Sequence, residues 1–128
     1  MDYTLNRKVA GTVEEVVERV KEALKSEGFG VLTEIDIAAT LKAKLGADFR
    51  PYRILGACNP PLAKQALEAE SRIGVMLPCN VIVQATGENE MEIAAIDPAT
   101  AMAAIGNPAL EKIALEVALR LKRVVEKA

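Results

Sequence analysis

Helix-starting and helix-ending residues recur along this chain and cut it into alternating strand-like and helix-like pieces. Thr12 with Glu15, Asp36, Asn59 before Pro60, Asp97 before Pro98 and Asn107 before Pro108 are the starts. Each offers a side-chain oxygen to unpaired helix amides, and a proline fits a first turn whose N–H has no partner in any case. Gly28, Gly46 and Gly106 are the stops.

Between these marks the apolar period switches between two and 3.6. Tyr3, Leu5, Arg7 and Val9 alternate with Thr4, Asn6 and Lys8, which predicts a first strand. Further strands are expected at Phe29–Ile35 and at Tyr52–Ala57, the latter apolar nearly throughout and so central. Ile73–Leu77 and Cys79–Ala85 are strand-like pieces interrupted at Pro78, and Met91–Ile96 returns as a hairpin partner after a turn at residues 86–89. Helical spacing places Val13, Val16, Val17, Val20 and Leu24 on one face, then Ile37, Ala38, Leu41 and Leu45, then Leu62, Ala63, Ala66 and Leu67. The expected architecture is α+β: a two-layer α/β sandwich with a mixed sheet of about five strands, in the order β-α-β-α-β-α-β-β-α. Its 128 residues make one domain, 1–128, able to bury roughly two thirds of its unfolded surface.

The final helix carries an unusually wide apolar stripe, with Leu115, Leu119 and Val125 flanking Leu110, Ile113, Ala114, Val117, Leu121 and Val124. Such width fits either a homodimer, with one side on the sheet and the other on a second subunit, or burial on two sides within one chain.

Composition excludes several functions. Aromatic residues are 3% of the chain, and 16 basic against 18 acidic residues give a net charge of −2, so no nucleic-acid partner is expected. Arg120, Lys122, Arg123 and Lys127 sit in the last turns of the final helix, where cations oppose the negative end of its dipole. No run approaches the ~20 apolar residues of a membrane span, nor does the start supply a signal-peptide core. The expectation is a cytoplasmic protein without a membrane partner.

The chain has two cysteines, each followed by asparagine and each beside a proline: Cys58-Asn59 and Cys79-Asn80. If the Tyr52–Ala57 and Ile73–Leu77 strands are parallel neighbours, both thiols reach one sheet edge, where open α/β sheets hold ligands. Cys58 precedes a helix N-cap, a setting that favours thiolate, and is the candidate reactive thiol. Asn59 serves equally as a cap, and both cysteines could simply fill the core as small apolar residues. With no histidine and no third cysteine, four-ligand zinc is disfavoured unless a dimer pools its thiols. Cu(I) needs fewer thiolates, and a reversible disulfide is a third option, although the spacing is not Cys-x-x-Cys. The missing histidine also removes Ser-His-Asp and Cys-His catalysis. Gly28-Phe29-Gly30 precedes a strand and is a helix stop, not a phosphate loop. Glu34, Asp36 and Asp97 are scattered carboxylates in capping or solvated settings unless the fold gathers them beside the thiols.

Several segments together give the chain a likeness to a known family: Gly28-Phe-Gly-Val-Leu-Thr-Glu-Ile-Asp36, Phe49-Arg-Pro-Tyr-Arg-Ile-Leu-Gly-Ala-Cys-Asn-Pro60, Leu77-Pro-Cys-Asn-Val81 and Ala95-Ile-Asp-Pro98. They resemble the bacterial and archaeal family called domain of unknown function 302, almost end to end. The resemblance implies a small two-layer α/β domain and a homodimer, includes both Cys-Asn segments in its pattern, and brings no established activity. The functional expectation is a dimeric module that binds a small ligand or soft metal through Cys58, Asn59, Cys79 and Asn80. A thiol-dependent enzyme or redox protein using Cys58 is the alternative, and a purely structural dimerisation domain is a further one.

Overall fold

The computed structural model describes residues 2–128. Five strands, β1 (Thr4–Ala10), β2 (Gly30–Asp36), β3 (Tyr52–Cys58), β4 (Cys79–Gly87) and β5 (Glu90–Ile96), form one sheet in the order β1-β5-β4-β3-β2. Helices α1 (Val13–Ser26), α2 (Ile37–Leu45), α3 (Pro60–Ala69), α4 (Pro98–Met102) and α5 (Pro108–Lys127) complete the expected α+β order.

The local signals act as the sequence suggests. Thr12 Oγ1 accepts the Glu15 N–H at 3.2 Å, while its hydroxyl donates to the Glu15 carboxylate. Asp36, Asn59, Asp97 and Asn107 cap α2, α3, α4 and α5. Asn107 also donates from Nδ2 to the Ala69 carbonyl at 2.9 Å, tying the start of α5 to the end of α3.

Two expectations are corrected. Every strand pairing is antiparallel, so the sheet is not mixed. The expected Ile73–Leu77 strand is instead a 3₁₀ helix, Ser71–Met76. A short apolar run fits either state by pattern alone, and here burial decides: Ile73 inserts among Ala66, Met102, Leu110 and Ala114. Because this segment is not a strand, β3 and β4 are joined by a helical excursion that reverses chain direction.

The main core lies between one sheet face and the helices. Val16, Val17, Val20 and Leu24 of α1 meet Leu55, Val81, Val83 and Ile93 of the sheet and Leu121 and Val124 of α5. Helix α5 packs against α1, α3 and α4 as well as β1 and β5, which accounts for its wide stripe within one chain. Val125 is buried at 4% exposure, whereas Leu115 and Leu119 stay open at 58% and 55%. The basic end of α5 is largely paired: Glu27 takes Arg123 at 2.9 Å and Lys127 at 2.6 Å, and Arg120 binds Glu116 at 2.9 Å. Among the described residues no helix is long and apolar enough to cross a membrane.

Candidate functional site

The two Cys-Asn segments meet through antiparallel pairing. β3 runs outward to Cys58 and turns into α3, while β4 begins at Cys79, and the register sets Ala57 opposite Cys79 and Gly56 opposite Asn80. The exit of one strand and the entry of its neighbour thus share a sheet end, which replaces the parallel arrangement expected from sequence.

Side chains alternate along β4, and this separates the dipeptide's two members. Cys79 falls on the core side with Val81 and Val83, while Asn80 is exposed. At the other segment, Asn59 is buried at 6% exposure and its Oδ1 accepts the Leu62 N–H at 3.2 Å. Its Nδ2 stands 3.0 Å from where a Cβ on Gly28 would be, so Gly28 serves both a positive φ of 85° and a close approach.

A cavity opens between this sheet end and α3, α4 and α5. Its volume is ≈ 40 Å³, and Cys58, Asn59 and Cys79 line it together with Phe29, Leu62 and Met102. A single water needs ~10–15 Å³ on this measure, so the space suits a few heavy atoms. Asn59 carries the only side-chain amide, hydroxyl or charge at its wall; the rest is apolar or sulfur-bearing. Asn80 lines a second, open groove of ≈ 260 Å³ behind the Leu77–Cys79 segment. Cys79 and Met102 border both spaces.

Burial, followed by the charge of Cys58, pushes the Cys79 thiol up to about 11. Cys79 is therefore protonated at neutral pH, and the half-buried Cys58 is the more reachable thiol. Both are free.

The acidic candidates do not join them. Glu34 binds Lys21 at 2.7 Å and Arg53 at 3.0 Å, Asp36 caps α2 and meets Arg53 at 3.3 Å, and Asp97 caps α4. Among the described residues no three His, Cys, Asp or Glu side chains gather in a metal-holding group. Sequence reasoning missed Met76, Pro98 and Met102. Their place at the site depends on how the 3₁₀ segment and α4 fold back over the sheet end, and the only available signal was the Asp97-Pro98 helix start.

The family model described as "Domain of unknown function DUF302" matches residues 5–128. A solved structure, the uncharacterized conserved protein DUF302 from Bacillus stearothermophilus, is 31% identical with a TM-score of 0.91, covering 99% of this chain and 98% of that one. No curated protein matches.

Proposed function

We propose, for a chain that belongs to the DUF302 family and takes no established activity from it, a binding module whose ligand enters the cavity at the β3 exit and β4 entry. The observation that carries this reading is the convergence of Cys58, Asn59 and Cys79 on one largely apolar space. The cavity fits the small apolar end of a ligand, with the Asn59 amide and the thiols as its polar contacts. Such sites typically combine apolar walls with a few placed polar groups. Native mass spectrometry of protein purified without chelator tests it. A stoichiometric mass lost on denaturation, and missing from a Cys58→Ser variant that keeps its fold, supports the site. Equal occupancy in that variant refutes it. The half-buried Cys58 also favours a second reading, a thiol-dependent reaction at its sulfur, which would appear as a covalent adduct that survives denaturation.

The module is further proposed to act as a homodimer. On the sheet face away from the core, Ile35, Ile54, Ile82 and Ala94 sit directly opposite one another across β2, β3, β4 and β5. A two-fold axis through the middle of this row lays Ile54 over Ile82 of the partner subunit, so the surface matches itself. Five strands of about seven residues give a planar footprint of roughly 500 Å² before side-chain relief. That is the scale of the ~800 Å² of accessible surface each partner buries in a standard interface.

A further inference from the structure

Sulfur is concentrated on one side of this molecule. Of four methionines and two cysteines in the chain, Met76, Met102 and both cysteines border the two spaces flanking the Leu77–Cys79 segment. Three sulfur-bearing residues line the ≈ 260 Å³ groove: Met76 from the end of the 3₁₀ helix, Cys79 from the start of β4 and Met102 from the last turn of α4. Exposure grades inward, with Met76 open at 40%, and Met102 and Cys79 buried at 6% and 7%.

The rest of the wall sorts among metals. Val75, Leu77, Pro78, Ile96, Pro98 and Ala101 bring no side-chain ligand, and Asn80 brings one neutral amide. No carboxylate or imidazole is present, which removes the ligands that hard cations and catalytic zinc require. One thiol and two thioethers form instead a soft set of the kind that suits Cu(I), an ion held by as few as two or three such ligands.

We infer that the groove between the 3₁₀ helix, β4 and α4 is a capture site for a soft monovalent cation of the Cu(I) class, with Met76, Met102 and Cys79 as its ligands. Met76 meets the ion at the mouth and stays bound to it as the two buried residues complete the set. On binding, the Cys79 S–H bond gives way to an S–Cu bond, the proton leaves to solvent, and no electron is transferred. The inference meets the ligand-cavity reading at Cys79 and Met102, whereas Met76 lines the groove alone and Cys58 lines the cavity alone.

Competition decides it. Apo protein would be titrated anaerobically against a chromophoric Cu(I) chelator, alongside Met76→Leu, Met102→Leu and, as a control outside both spaces, Met91→Leu variants, each checked for fold by circular dichroism. Leucine keeps the volume of methionine and removes the donor. The expected result is one Cu(I) withdrawn per chain, at least tenfold weaker retention in Met76→Leu and Met102→Leu, and unchanged retention in Met91→Leu. No withdrawal by the wild-type protein, or Met76→Leu and Met102→Leu variants that match it, overturns the inference and leaves the cavity reading intact. Copper uptake by a protein whose cavity carries no ligand in native spectra supports the groove and counts against the cavity alone.

Discussion

Gly56 of β3 lies so close beneath Pro78 that a Cβ at position 56 would stand 2.8 Å from the proline Cγ, closer still to Thr33 Oγ1 on the neighbouring strand. The proline immediately before Cys79 thus packs on the strand immediately before Cys58. Absence of a side chain at one strand position lets the Leu77–Cys79 segment close over the sheet end and bring the two cysteines together.

Gly56→Ala should therefore destabilise the fold, by about 1–3 kcal/mol as for other overpacked sites. Both obstructing atoms belong to stiff or strand-held residues, so relaxation is limited. Urea unfolding would read the loss as a lower midpoint at unchanged slope. Combining it with Thr33→Ala should recover part of the loss, because the nearer obstruction is removed while Pro78 remains. A neutral Gly56→Ala variant would contradict the packing described.

The two thiols should respond very differently to an alkylating reagent. Cys58 is half-buried at the strand exit, whereas Cys79 is buried and its thiol is pushed up to about 11. Since the thiolate is the nucleophile, native protein at neutral pH should take one equivalent of iodoacetamide at Cys58, with Cys79 labelled only on unfolding. Peptide mass spectrometry would assign the sites. Faster labelling at Cys79 would mean that the sheet end opens far more readily than its burial implies.

Much of this fold was legible because its signals are local. A Thr, Asp or Asn cap acts through amides within three residues, and all five expected caps accept those bonds. Strand direction is not local. Nothing in Ile73–Leu77 distinguishes a parallel strand from a 3₁₀ turn until Ile73 finds its slot between α3, α4 and α5. The meeting of Cys58 and Cys79 survived that misreading because Cys79 both follows the misread segment and opens the next strand: a parallel Ile73–Leu77 strand would set its exit beside the β3 exit, and antiparallel β4 sets its entry there instead. Asn80 is a different matter: alternation along β4 already implied that it faces away from Cys79, and treating each Cys-Asn pair as one unit concealed it. Met76 and Met102 were not legible, because their partners come from separate elements.

Acid should find a specific weakness at Glu34. The hydrogen bond from Lys21 at 2.7 Å, opposed by partial burial and aided by Arg53 at 3.0 Å, holds this carboxyl below its ordinary range. Its folded pKa is thus below the unfolded one, so the stabilisation is present above the unfolded value of ~4.3 and lost as pH falls through the folded one. Glu34→Gln should be less stable at pH 7, by on the order of 1 kcal/mol or less for a partly exposed pair. The gap should close towards pH 3. Chemical denaturation at a series of pH values would check it, and a gap that widens in acid would reverse the assigned sign.

The proposed homodimer can be separated from one built on α5. Leu115 and Leu119 form an exposed pair on that helix, but its other apolar residues are already covered by α1, α3, α4 and the sheet. The row Ile35, Ile54, Ile82 and Ala94 instead spans four adjacent strands, so one self-paired contact would cover all four positions together. Light scattering of the purified protein should then give twice the chain mass. Ile35→Glu, at a position 44% exposed and so tolerable to the monomer, should halve it by placing a charge in a desolvated contact. Leu119→Glu should leave the mass unchanged. A monomeric wild type would remove the homodimer altogether, while dissociation by Leu119→Glu alone would move the interface to α5.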